Sequence, residues 1–233
     1  MGQENRYCYK YPRPAVTTDS VIFGFGEGEL KVLLIERGIE PFKGRWAFPG
    51  GFMEMDEDAD TCARRELKEE TGLEEVYMEQ LYTFSAVDRD PRSRVVSIAY
   101  YALVKLSDYV LKAGDDASKA KWFPLSEIPI LAFDHQKILQ MAVKRLKGKI
   151  RYQPIGFELL PEKFTIPDLQ RLYESALQTV LDRRNFRKKI LKTGLLIDTG
   201  EWVADVPHKR AKYYRFDKAK YRVLSEKGFY FEI

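Results

Sequence analysis

Residues Gly51 to Leu73 read GFMEMDEDADTCARRELKEETGL, and this stretch decides the fold. It opens on the pair Gly50-Gly51, where a backbone can turn tightly, and runs into a segment that is charged at most positions. Within that segment Ala59, Cys62, Ala63 and Leu67 recur at helical spacing, so 57–70 is expected as an amphipathic helix with a narrow apolar stripe. On such a helix Glu66, Glu69 and Glu70 stand at i, i+3 and i+4 and share one face. Three carboxylates there repel and cost helix stability unless cations neutralise them. Hard oxygen donors suit Mg²⁺ or Mn²⁺ rather than zinc, and magnesium completes its shell with water and substrate phosphates. The chemistry expected is metal-assisted hydrolysis of a phosphoanhydride. Glu66, Glu69, Glu70 and the carbonyl of Gly51 are the candidate metal ligands, with Glu69 and Glu70 as catalytic carboxylates. Arg65 can fork onto a carboxylate, and Glu57, eight residues earlier, is its expected partner; both are counted with the catalytic group as supports.

Outward from this helix, the apolar runs 20–25 and 30–35 flank the turn Gly26-Glu27-Gly28 and predict a hairpin. Met78–Val87 and Val95–Val104 predict two more strands, Trp122–Leu125 a short one, and Gln136–Leu146 a helix. Strands mixed with two helices make an α/β domain. Residues 147–163 lose helical period and contain Pro154, Gly156 and Pro161, which places a boundary there: 1–150 is one domain and 151–233 another. At 233 residues the chain is long enough for two cores.

The second domain is basic. Residues 151–233 hold 17 Lys/Arg against 11 Asp/Glu, whereas 1–150 hold 22 against 24. That asymmetry points to an acidic partner, most often nucleic acid. Thr165 can cap a helix over 165–177 with Pro167 and Asp168 in its first turn, and Asp182 can cap a second over 183–192 that ends before Gly194. Phe186 and Ile190 would anchor the second helix, leaving Arg183, Arg184, Asn185, Arg187, Lys188 and Lys192 outward. Two helices joined by a short break, the second basic, followed by strands at 195–199 and 213–216, make helix-turn-helix geometry with a wing. Lys209, Arg210 and Lys212 in the wing loop complete the candidate DNA-binding set, in which Arg can read guanine, Asn adenine, and Lys phosphate.

Cys8 and Cys62 are far apart and lack metal-ligand spacing, which argues against a disulfide framework or a zinc site. The stretch MGQENRYCYKYPRP has no apolar core, and nothing later approaches a membrane span, so a cytoplasmic protein with no membrane partner is expected. His135 and His208 read as surface or packing residues.

The stretch 51–73 fills every specified position of the pattern GX5EX7REUXEEXGU, and on it the chain resembles the Nudix family. The likeness extends over 18–146, through the lead-in Gly44–Gly50 and the closing Trp122-Phe123-Pro124-Leu125. It implies a mixed-sheet α/β/α sandwich. It also implies a further acidic residue on the loop before the closing strand as ligand or general base, for which Asp115 and Asp116 are candidates and Asp116 is preferred. Asp88-Arg89-Asp90-Pro91-Arg92 resembles the segment of ADP-ribose-type members. Arg89, Arg92 and Arg94, with Arg37 and Arg45, are the candidate substrate-binding cations, while Phe48 and Phe84 read as core rather than as base-stacking rings.

Residues Ile155–Pro161, Phe164-Thr165, Leu169–Glu174 and Arg184–Lys188 extend the resemblance to NrtR-like regulators and the related AraR type, in which a winged helix-turn-helix follows the Nudix domain. This implies a homodimer on a double-stranded DNA operator, a nucleotide-sugar or sugar ligand, and an intact site that binds and can hydrolyse an ADP-ribose-like diphosphate with Mg²⁺. The alternative is a metal-dependent ADP-ribose-type pyrophosphatase with no regulatory role on DNA.

Overall fold

The computed structural model describes residues 9–74, 76–106, 120–204 and 211–232. Strand β1 (Ala15–Gly26) turns through Glu27-Gly28, both at positive φ, into β2 (Glu29–Glu36), as the hairpin pattern predicts. Two-residue turns of this kind require left-handed backbone, which Gly28 supplies without strain. β1 also pairs in parallel with β5 (Val95–Lys105) over eleven residues. β4 (Tyr77–Phe84) lies antiparallel beyond β5, and β2 carries both β3 (Trp46–Ala47) and β6 (Ala120–Pro124) on its other side.

Alternation along the inner strands sorts the core into two layers. Ile22, Leu33, Ala102 and Val104 face α1 (Ala59–Thr71) at Leu67. Val21, Phe23, Val32 and Leu34 join the opposite cluster, which holds Ile138, Leu139, Ala142 and Leu146 of α2 (His135–Tyr152). The result is the α/β/α sandwich. The bounds of α1 follow from its ends: the Asp58 carboxylate accepts the Thr61 N–H at 2.8 Å, and Gly72 at φ 73° closes the last turn onto Lys68.

Helix α2 runs six residues past the Leu146 expected from the sequence. Lys149 and Ile150 are buried in the added turns, so burial overrides the weak propensity of Lys-Gly-Lys. The division expected at 150/151 therefore falls in the last turn of a helix. The 3₁₀ segment Pro154–Leu159 that follows buries Pro154, Ile155, Gly156, Phe157 and Leu159. No apolar gap separates the halves: one cluster runs from Val21 and Phe23 through Ile155 and Phe157 to Leu172, Phe186 and Tyr214.

In the second half, Thr165 and Asp168 cap α3 (Ile166–Leu177) reciprocally, and Asp182 caps α4 (Arg183–Lys192). A three-stranded sheet of β7 (Phe164–Thr165), β9 (Lys212–Phe216) and β8 (Leu196–Trp202) stands behind them. Helix α5 (Lys218–Glu226), which the sequence reading did not anticipate, follows. Among the described residues no helix is long and apolar enough to cross a membrane.

Candidate functional site

A cavity of about 590 Å³ opens where β1, the β2 end, the Gly50-Gly51 turn, α1 and the start of α2 meet. Glu66, Glu69 and Glu70 line one wall, reached as predicted from successive turns of α1. Close approach demands glycine at Gly50, where a Cβ would meet backbone, whereas at Gly51 a side chain would displace the Glu66 carboxylate. A Cβ on Gly51 would lie 2.2 Å from Glu66 Oε1, and one on Gly50 would lie 2.0 Å from the Thr18 carbonyl. The Gly51 carbonyl, a candidate metal ligand, accepts the Thr18 N–H at 2.9 Å.

The expected Arg65–Glu57 fork is present, Nε to Oε2 at 3.0 Å and Nη2 to Oε1 at 2.6 Å. It holds the Glu57 carboxyl down at about 2, helped by the Glu54 N–H. Arg65 also places Nη1 at 2.8 Å from Glu66 and 3.2 Å from Glu69. Part of the compensation assigned from sequence to a metal thus comes from this guanidinium, and among the described residues no three acidic, His or Cys side chains stand grouped as a ready metal cluster. Glu70 makes no ion pair among the described residues, and Arg37 favours its carboxylate only weakly. It accepts the Gly50 N–H at 2.7 Å, yet burial, with Glu66 and Asp19 nearby, pushes its carboxyl up to about 7. Uncompensated negative charge on an all-oxygen donor set fits a hard divalent cation, which Glu66, Glu69 and Glu70 would hold.

The floor of the cavity is a buried polar network. Asp19 is bonded by Ser97, lies 3.3 Å from Arg89 Nη2, and faces His135 Nε2 at 3.4 Å. Burial alone would raise the Asp19 carboxyl, but His135, Ser97 and Arg89 together hold it at about 2. The Phe48 N–H donates to His135 Nδ1 at 3.0 Å, which leaves the ring proton on Nε2 toward Asp19. Phe48 stacks on the same imidazole at 5.1 Å, so it is buried core and cavity wall at once. His135 is thus a structural member of the site rather than a surface residue. Phe84 is core, as expected.

The five candidate substrate arginines divide. Arg37 and Arg92 line the same cavity as the carboxylates, with their guanidiniums 4.8 and 5.5 Å from the Phe133 ring centre. Arg92 is held by Asp90, and burial together with Arg92 lowers the Arg37 pKa. Arg89 lines the cavity too, but its nitrogens are committed to Asp134 at 2.8 and 3.2 Å and to Asp19, so it is a fastener of the floor. Arg94 is turned onto the carbonyls of Ala86 and Val95, and exposed Arg45 sits 5.5 Å from the Phe42 ring centre; neither lines the cavity. Asp115 and Asp116 lie outside the described residues.

The second candidate surface is α4. Phe186 and Ile190 are buried, while Arg183, Arg184, Asn185, Arg187, Lys188 and Lys192 are exposed, and Lys189 joins them. Among the described residues none of these six cations makes an ion pair. Lys212, expected in the DNA-binding set, is instead paired with Asp198 at 2.7 Å and lies 5.1 Å from the Trp202 ring centre. Lys209, Arg210 and His208 are outside the described residues.

A family model described as the NUDIX domain matches residues 13–142, and one described as the NrtR DNA-binding winged helix domain matches 156–216. The chain belongs to the NrtR-type Nudix family. It is 36% identical over 211 residues to the ADPR responsive transcriptional repressor NtrR of Acinetobacter baylyi, covering 88% of this chain and 83% of that one. It is 45% identical over 130 residues to the ADP-ribose pyrophosphatase of Methanocaldococcus jannaschii, covering 56% of this chain and 73% of that one. Among solved structures, NrtR of Shewanella oneidensis in complex with a 27mer DNA aligns with a TM-score of 0.78 at 33% identity, over 93% of this chain and 97% of that one. These NrtR-type likenesses span both halves and thus include the helix α4 surface as well as the cavity.

Sequence reasoning missed Asp19, Phe133 and His135. Asp19 does carry a signal, an acid inside an otherwise uncharged strand, whereas Phe133 and His135 reach the cavity only through the fold.

Proposed function

We propose that this NrtR-type protein is an ADP-ribose-responsive transcriptional repressor, with the cavity as its ligand site and α4 as its DNA-reading helix. The observation that carries the reading is the coexistence, on one continuous apolar core, of a cavity lined by both carboxylates and arginines and a helix whose six cations make no ion pair among the described residues. Arg37 and Arg92 would take the diphosphate oxygens, and Glu66, Glu69 and Glu70 would hold a divalent cation beside them. α4 would enter the major groove with Arg183, Arg184, Asn185 and Arg187 toward the bases and Lys188, Lys189 and Lys192 toward phosphate. One such helix reads one half-site, so a homodimer on a palindromic operator, in the cytoplasm, completes the proposal; sedimentation at operator-binding concentrations tests the dimer. Measuring affinity for DNA from upstream of the protein's own gene, with and without ADP-ribose, tests the whole: the ligand shifts the affinity at least about fivefold. No operator binding at low salt refutes it.

The full set of carboxylates also supports turnover of the bound ligand with Mg²⁺ or Mn²⁺. The cation, when bound, polarises the phosphoryl oxygens and activates water. Glu66, Glu69 and Glu70 hold it, Glu57 fixes Arg65, and Arg37 and Arg92 draw charge from the cleaved diphosphate. Release of products from ADP-ribose with Mg²⁺, absent with EDTA, is the expected result.

A further inference from the structure

Two elements run from the cavity wall to the C-terminal end of α3. The C-terminal end of β2, at Ile35 and Glu36, lines the cavity. Near its other end the Leu30 N–H donates to Ser175 Oγ at 2.9 Å. Helix α2 begins in the cavity at His135, and twelve residues later Lys147 Nζ donates to Gln178 Oε1. The spans are nearly equal, about 17 Å along the strand at ~3.3 Å per residue and about 18 Å along the helix at ~1.5 Å. Ser175 lies in the last turn of α3, and Gln178 is the C-cap that closes it, at φ 54°.

Beyond these two grips, α3 and α4 are locked into one body. The Glu174 carboxylate accepts the Leu181 N–H at 2.9 Å, and Gln170 Nε2 donates to the Leu181 carbonyl and to Glu174, both at 2.9 Å. The Tyr173 and Phe186 rings pack with centroids 5.5 Å apart. A displacement of α3 is therefore a displacement of α4. At the cavity end the start of α2 is equally well defined: Phe133 is held at φ 51°, unfavourable for a bulky side chain, and Asp134 is fastened by Arg89 in place of capping its own helix.

We infer that α3 is the element that reads the cavity, gripped at Ser175 by β2 and at Gln178 by α2, and that these two hydrogen bonds couple ligand occupancy to the placement of α4. This rests on the repressor reading above. A ligand engaging Arg37 and Phe133 acts on the near ends of both struts together, and packed elements pass small shifts on as rigid-body movement.

The test is the double variant Ser175→Ala/Gln178→Ala in the full chain. Operator affinity is measured with and without saturating ADP-ribose, and ADP-ribose affinity is measured by calorimetry. The ratio of the two operator affinities, expected in the roughly 5- to 150-fold range for the unmodified protein, falls to within about twofold of unity, while each ligand alone binds within about threefold of normal. A double variant that keeps the full ratio overturns the inference. An unmodified protein whose ratio is one overturns the repressor reading itself, and the inference with it. Two milder variants decide the matter should the double variant unfold: Gln178→Glu retains an acceptor for Lys147 and keeps the ratio, whereas Lys147→Met keeps the stem, loses the donor and lowers the ratio. Equal ratios in Lys147→Met and the unmodified chain overturn the α2 arm.

Discussion

Arginine is used in opposite ways around the cavity and along α4. Around the cavity Arg65, Arg89 and Arg92 are each bonded to a carboxylate, and Arg65 and Arg89 each hold more than one. On α4 six cations stand along ten residues, and among the described residues none has an anionic partner. Like charges crowded on one helix face destabilise it modestly, a cost that an arriving polyanion reverses. Arg65 and Arg89 fix architecture, Arg92 is steadied by Asp90 at the cavity wall, and the α4 group is held available. Net charge conveys only part of this, because it cannot distinguish a neutralised guanidinium from a free one.

Several substitutions would break or sharpen that contrast. The largest effect is expected on chemistry: Glu70→Gln lowers Mg²⁺-dependent ADP-ribose hydrolysis on the order of a hundredfold or more, read by product chromatography. Unaltered turnover would remove the carboxylate wall from the reaction. Next comes Arg89→Ala, which leaves Asp19 and Asp134 facing each other without their shared cation and costs about 3–5 kcal/mol in chemical denaturation. A loss below about 1 kcal/mol, the usual scale of an exposed pair, would place Arg89 with the dispensable ion pairs.

Arg184→Ala and Arg187→Ala, by contrast, leave the melting temperature unchanged and weaken operator binding by about 1–3 kcal/mol each if they read bases, or flatten the salt dependence by about one unit each if they meet phosphate. A drop in thermal stability matching that of Arg89→Ala would erase the distinction between the cavity and α4.

Acid titration adds a smaller effect. Asp19 is lowered from 3.8 to about 2, so its contribution to stability is present above about pH 4 and is lost as the pH falls toward 2. Asp19→Asn therefore flattens the acid limb of stability against pH, and an unchanged limb would show that the network around His135, Arg89 and Ser97 does not favour the carboxylate. The smallest change is at Tyr173, whose hydroxyl is buried without a hydrogen-bond partner among the described residues. Tyr173→Phe removes an unsatisfied polar group and leaves stability equal or raised by about 1 kcal/mol.

What the sequence made legible was whatever depends on short spacing along the chain. The carboxylates of α1 and the anchors Phe186 and Ile190 follow from helical periodicity, and the Arg65–Glu57 fork and the Thr165–Asp168 cap from short spacing across a helix start; each stands where that spacing put it. What escaped was whatever depends on partners far along the chain. Arg89 looked available for a ligand because Asp134 is 45 residues away and Asp19 is 70. Lys212 looked free because Asp198 meets it only across the β8–β9 pair. Similarly, α2 seemed to stop at Leu146 because Lys-Gly-Lys resembles a break, although the interior that buries Lys149 and Ile150 makes it continue.

The buried 3₁₀ segment Pro154–Leu159 gives the molecule a particular thermal character. Chains whose domains hang on exposed linkers melt in separate steps, since each core can be lost while its neighbour survives. Here Ile155 and Phe157 belong to both neighbours, so loosening either half strips packing from the other. Heating would meet a single cooperative unit, and a protease would find no nick site across buried Pro154–Phe157 until the chain had opened.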